Sequence, residues 1–239
     1  MIIVQKYSEW NETAHKLHMC LQMIGKTKLN KCFSQPEWNH SLLSLTTNGF
    51  TSGLIPDNET SFAVNVDIAR SRVTATCTDG MRAQFLLSPD MSVKECFQQY
   101  EAMLQAIGHY TPINSTPQEV ADTRPFDQQT EKLGWDAAAA MNYYQSCVFA
   151  HNALLRFASP FRGNKILPSL FWGTFDMTTV LFSGVEKAFA GKDLIETVAF
   201  SEQLIELGYW PGDPATDEPM FFLLPYPFVP EDQPGKTIT

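Results

Sequence analysis

Two histidines three residues apart, His15 and His18, share a polar stripe with Asn11 and Gln22 in the first helical stretch of this 239-residue chain. The stripe lies about 100° round from the apolar one at 3.6 residues per turn. Such a pair can ligate a metal or supply a general base. A metal site needs third and fourth ligands, and the neighbouring sequence offers none, so no tightly bound metal is expected. Asn39-His40 follows Pro36 and Trp38 at the mouth of a strand, where a loop residue can face a cleft. Further on, Phe171-Trp172-Gly173-Thr174-Phe175-Asp176 and Gly208-Tyr209-Trp210-Pro211-Gly212-Asp213 each set aromatic residues beside glycine and follow them with an acid. Read as an extended strand, the first stretch puts Trp172 and Asp176 on one face, and Gly173 lets a neighbour approach closely. The second fits a type II turn, with proline second and glycine third. These stretches nominate His18, Asn39, His40, Trp172, Asp176 and Trp210 as ligand-binding candidates. Trp172 would be an apolar wall with Trp210 at the rim, His18 or His40 would exchange protons or hydrogen bonds, and Asp176 would orient a donor.

Other reactive side chains have plainer readings. His109 lies just past a helix end, where the helix dipole favours it as a C-terminal cap. His151 falls in line with Met141, Tyr144, Val148 and Leu155 and reads as a core histidine. The five cysteines are odd in number and scattered, without a Cys-x-x-Cys pair, so reduced, packed thiols and no intrachain disulfide are expected. The chain has no Gly-x-Ser-x-Gly, no phosphate-binding Walker loop, no His-Glu-x-x-His and no dinucleotide glycine fingerprint. No reaction and no cofactor is named by these residues.

The elements that must position them are legible by period. Residues 8–24 read as a helix with Ser8 as N-cap and Gly25 near its stop. Between 41 and 87, four runs alternate in twos and are rich in β-branched residues, with tight breaks at Asn48-Gly49, Asp57-Asn58 and Asp79-Gly80, which suits an antiparallel meander. Ser92 and Glu95 form a capping box for a helix that ends at Gly108. Residues 109–133, with Pro112, Pro117 and Pro125, read as a long crossing loop. A helix over 135–158 is apolar on much of its circumference, as a buried central helix would be. Strands are expected over 169–183, 195–200 and 220–228, the last an edge because prolines flank it. The expected fold is α+β: largely antiparallel sheet packed against about three principal helices, one domain over 1–239 with a proline-rich segment at 211–239.

Composition narrows the function classes. With 17 basic against 26 acidic residues and a formal charge of −9, the chain lacks the clustered cations that nucleic acid or an anionic membrane demands. The start carries no basic segment before an apolar run, and no run approaches a membrane span, so a cytosolic protein is expected.

Trp10-x-x-Thr13 with Leu17-His18 and Gly25-Lys26, then Asn39-His40, Phe171-Trp172-Gly173-Thr174-Phe175-Asp176, Phe182-Ser183-Gly184, Gly208-Tyr209-Trp210-Pro211-Gly212 and Pro225-Tyr226-Pro227 together resemble an uncharacterised bacterial family, domain of unknown function 5996. The resemblance spans nearly the whole chain and implies no activity. The family pattern has aromatic residues after the Asn-His pair, histidines near the positions of Ser71 and Ser169, and an arginine near Leu181. If those groups form a site in relatives, the resemblance implies a member that has lost the activity or takes a less polar ligand. The leading expectation is a small-molecule pocket between the first helix and the later strands. The alternative is a non-catalytic interaction or homo-oligomeric domain that pairs through an aromatic edge carrying Phe221, Phe222, Tyr226 and Phe228.

Overall fold

A computed structural model describes residues 4–228 and shows an α+β protein built on two antiparallel sheets. Three long helices, α1 (Asn11–Lys31), α2 (Val93–Ala106) and α3 (Ala137–Ala158), pack with them, and a fourth, α4 (Leu194–Ala199), is short. The first sheet holds β1 (Ser44–Leu45), β2 (Gly49–Thr51), β3 (Ile55–Asp57), β4 (Thr60–Asp67), β5 (Arg72–Cys77) and β6 (Arg82–Leu86). Its order is β1-β2-β4-β5-β6, with β3 also paired to β4. The second holds β7 (Lys165–Phe171), β8 (Asp176–Glu186), β9 (Glu202–Trp210) and β10 (Met220–Tyr226), in the order β10-β9-β8-β7. Leu43 and Leu170 exchange backbone hydrogen bonds of 3.1 and 2.8 Å and so link the two sheets.

The buried central helix is α1, not α3. Every residue from Lys16 to Thr27 in α1 is buried. In α3 the buried stripe runs through Ala140, Tyr143, Cys147, Ala150 and Leu154, while Phe149 and Phe157 are about half exposed. His151 falls off that stripe, half-buried and bonded only weakly to Asn152, so it is no core histidine. Ser8 is not the cap of α1; its N–H and hydroxyl donate to Asp217, and the helix begins after Trp10. Gly25 does not end the helix either. A Cβ there would lie 2.4 Å from the Trp172 ring, so the glycine serves close approach.

Helix α2 follows its signal: Ser92 and Glu95 exchange both capping-box bonds. The single strand expected over 169–183 is two, β7 and β8, joined by a hairpin turn at residues 172–175. Residues 195–199 are helical rather than extended, with Phe200 as C-cap, because Asp193 caps the N–H groups of Ile195 and Glu196. The strand in this part of the chain is β9, which the expected strands leave out. The last strand, β10, is an edge, the position where a strand tolerates Pro225. Of the proline-rich segment, residues 229–239 lie outside the described residues.

Candidate functional site

The 172–175 turn is buried at Trp172, Gly173 and Phe175, with Thr174 exposed, which explains its composition. Trp172 and Phe175 are 6% and 3% exposed, and Phe175 takes a left-handed φ of 67° while its N–H bonds Phe171 O. A turn inside the core must find partners for its carbonyls. His18 Nε2–H donates to Trp172 O at 2.9 Å and Gly173 O at 3.0 Å, and the Tyr143 hydroxyl donates to Phe175 O at 2.9 Å. The His18 ring also stacks on Phe175 at 4.6 Å. Burial pushes the imidazole down to about 4, so it is neutral and its one N–H is spent on the turn. Trp172 is fixed from its other end by Nε1–H to Ser41 O at 3.0 Å. His18 therefore shapes the site instead of facing it.

Beyond Trp172 opens a cavity of about 480 Å³. Its floor is one face of the second sheet. Val180 pairs with Glu206, which pairs with Leu224; Thr178 pairs with Gly208, which pairs with Phe222. A Cβ at Gly208 would fall 2.4 Å from Phe222, so this glycine lets the ring lie flat across the strand. Asp176 and Trp210 end the same face, α4 contributes Ile195, Glu196, Ala199 and Phe200, and the 3₁₀ turn Pro36–Ser41 adds Glu37 and Trp38. The far rim is the crossing loop. Gln22 pairs both ways with the backbone of Gln118, donating at 2.8 Å and accepting at 2.9 Å, and Lys26 holds Thr116 O at 2.8 Å. That anchorage brings Glu119 over Gly173, where a Cβ would meet its carboxyl at 1.9 Å. Glu37, Trp38 and Glu119 line the cavity at φ values of 50°, 58° and 55°, conformations that non-glycine residues seldom hold except where surroundings impose them.

The electrostatics are one-sided. Glu37, Glu119, Asp176, Glu196 and Glu206 line the cavity, and no lysine, arginine or histidine does. Burial first, then the Asp176 and Glu119 charges, push Glu206 up to about 8. Burial and the charges of Asp176, Asp193 and Glu196 push Glu119 up to about 7, although the residue stands at the rim. Asp176 is raised by burial against the hydroxyls of Thr174 and Thr178, which donate to it, and Glu37 is raised by burial against a 3.0 Å bond from Ser201. All four are raised by burial with no basic side chain among the lining residues, and Glu119 and Glu206 sit near the balance between acid and anion. Lys26 sits 5.9 Å from the Trp172 ring and is engaged by the loop carbonyl, and Lys28 donates to the carbonyl of the lining residue Leu42 at 2.5 Å.

Of the residues the sequence nominates, Trp172, Asp176 and Trp210 line this cavity, while His18, Asn39 and His40 do not. Asn39 is exposed and donates to Gln35 Oε1 at 2.9 Å; His40 is buried and accepts the Gln35 N–H at Nδ1, 3.1 Å away, which keeps it a turn histidine. Trp172 and Asp176 reach one space across a hairpin rather than along one strand face. His15 bonds Gln129 at 2.8 Å and borders a second, more open hollow near Tyr7 and Asp217. No group of three or more metal-ligating side chains occurs among the described residues. Glu119 and Glu206 escape a sequence reading, since an acid in a polar loop and an acid on a strand look like ordinary surface. His109 is not a helix-dipole cap: its ring is 7% exposed and bonds Asp57, Cys77 and Thr60 across the first sheet.

Fold and cavity define an α+β protein with an aromatic-walled, acid-lined pocket at one face of its second sheet. The chain belongs to the family of unknown function DUF5996, whose model matches residues 4–236. No curated protein and no solved structure matches it. Of the positions that the resemblance sets apart from the family pattern, Ser41 and Leu42 after the Asn-His pair line the cavity, whereas Ser71, Ser169 and Leu181 do not; Ser71 instead accepts the Trp135 indole N–H at 2.8 Å.

Proposed function

We propose that the cavity binds a small organic cation, an amine or ammonium with an apolar body, and we assign no reaction to it. The observation that carries this reading is a concave site with five carboxylic acids, six aromatic residues (Trp38, Phe171, Trp172, Phe200, Trp210 and Phe222), and no basic side chain in its lining. Aromatic faces attract ammonium groups, most strongly where water is excluded. Its volume lies in the range of ordinary ligand sites. An entering cation favours the ionised forms of Glu119 and Glu206, so binding releases protons and strengthens as pH rises through about 7 and about 8.

Calorimetry with benzyltrimethylammonium, whose charge does not titrate, against phenylacetate tests this. The ammonium should bind on the order of tenfold more tightly at pH 9 than at pH 6, with Glu206→Gln removing most of that gain. Tighter binding of phenylacetate, or an unchanged affinity in Glu206→Gln, would sink the reading.

A cytosolic setting is part of the proposal, supported by five free thiols. No helix among the described residues is long and apolar enough to cross a membrane. One domain is likewise proposed, because a single apolar cluster joins α1 to residues of both sheets. The alternative of an interaction or homo-oligomeric edge draws on Phe221 and Leu223 of β10, 53% and 60% exposed, whereas Phe222 faces the cavity and Tyr226 is buried.

A further inference from the structure

A second cluster of reactive groups lies in the first sheet, in another part of the fold from the acid-lined cavity. Lys31 ends α1, Asp57 ends β3, Cys77 ends β5, and His109 follows α2, where Gly108 at φ 75° turns the chain back. Asp57 Oδ2 lies 2.7 Å from Lys31 Nζ and 2.8 Å from His109 Nδ1. Burial alone would raise the Asp57 carboxyl, but the hydrogen bonds from Lys31 and His109 outweigh it and hold the group below its ordinary range. A carboxylate can only accept, so His109 Nδ1 carries the proton and Nε2 presents its lone pair. That lone pair faces Cys77 Sγ at 3.0 Å, with the Thr60 hydroxyl a longer partner at 3.3 Å. The ring plane is set by stacking on Phe62 at 4.9 Å and 15°. A thiol, a base aimed at it and an acid that orients the base are the parts of an activated nucleophile.

We propose that Cys77 is a peroxide-reactive thiol. The residue is 4% exposed beneath the exposed turn Thr78–Met81, a setting that favours a reagent as small as hydrogen peroxide over a bulky substrate. Sulfur attacks the distal peroxide oxygen as His109 Nε2 takes the S–H proton; the S–O bond forms, the O–O bond breaks, and the imidazolium returns the proton to the departing hydroxide as water. Sulfur loses two electrons, peroxide gains them, and the product is a sulfenic acid. Asp57 acts through His109 as a positioning residue.

The test treats the full chain with hydrogen peroxide, traps sulfenic acid with dimedone and follows all five cysteines by peptide mass spectrometry. Cys32 is the internal reference, because it alone of the five is partly exposed and the other four are buried. Cys77 should be labelled about tenfold faster than Cys32 or more, and His109→Gln should slow Cys77 by about tenfold or more while leaving Cys32 unchanged. Asp57→Asn should slow Cys77 with partial rescue in Asp57→Glu, a pattern that a merely structural role would not produce. Earlier labelling of Cys32 in the wild-type chain overturns the proposal. So does a wild-type Cys77 rate in His109→Gln with an unchanged circular dichroism spectrum. Should that variant fail to fold, the wild-type ratio decides alone.

Discussion

His18 and His109 are both buried and both stacked on a phenylalanine, at 4.6 and 4.9 Å, yet their surroundings ask opposite things of them. Around His18 the bonded acceptors are the neutral carbonyls of Trp172 and Gly173, so burial outweighs what those bonds give the charged form and the ring stays neutral. His109 stands between a carboxylate and a thiol, with Lys31 behind the carboxylate. The lesson is that burial by itself makes a histidine a strut, and a charged partner on one nitrogen makes the other available for chemistry. The acids repeat it: Asp57, bonded by the Lys31 ammonium and the His109 ring, is held low, while Glu206, faced by acids and apolar atoms, is pushed up.

The largest effect should come from removing the strut. His18→Leu keeps apolar volume beside Phe175 but strands the Trp172 carbonyl and leaves Gly173 O only a long 3.5 Å bond from the Gln22 amide, each lost acceptor partner costing about 1–3 kcal/mol, so urea unfolding at pH 7 should show a loss of about 4 kcal/mol. A loss under about 1 kcal/mol would mean the turn finds other partners. Next comes the pH dependence that His18 imposes. Its folded value is about 4 against 6.5 for an ordinary histidine, so between those values the unfolded chain binds the extra proton. Stability from this group is therefore present above 6.5 and lost as pH falls toward 4, by about 3 kcal/mol. Subtracting the profile of His18→Gln from that of wild type should isolate this limb, and a flat difference would contradict it.

Much of this architecture was legible where local chemistry decides it. The Ser92–Glu95 capping box announced α2, and the alternation in 61–68 and 72–78 announced β4 and β5. Aromatic and acidic residues around Trp172 and Trp210 pointed at the cavity through their types alone. The hairpin between β7 and β8 was not legible, because its left-handed position is filled by Phe175 where glycine or asparagine would signal a turn. Glu119 and Glu206 acquire their character from burial among other acids, which is a tertiary property. The sites of Asp57 and Cys77 lie 52 and 32 residues from His109, with no local spacing to connect them.

Glu206→Gln sharpens the contrast among the acids. An acid whose folded value rises from 4.5 to about 8 keeps its proton in the folded chain while the unfolded chain releases it, so stability is lost as pH rises between those values. Because Glu206 is only half-buried at the surface, solvent screening reduces the effect to about 2 kcal/mol. The variant should match wild type near pH 5 and exceed it by that amount at pH 9, measured by urea unfolding. Equal stability at both would show that the cavity solvates this carboxylate.

The smallest effect is expected at the other histidine, and its smallness is the point. In His109→Leu the Asp57 carboxylate keeps its 2.7 Å contact with Lys31, so no charge is left unpaired. Cys77 loses only the acceptor for a weak S–H donor. Leucine is close enough in volume to lie against Phe62, where a swap of this kind costs little when nothing polar is orphaned. The expected loss is about 1 kcal/mol, roughly a quarter of that for His18→Leu, measured by urea unfolding at the same pH. A loss above about 3 kcal/mol would make His109 a strut like His18, with its bonds spent on holding β3 and β5 against the end of α2. It would also remove the physical ground for treating Cys77 as anything but a packed thiol.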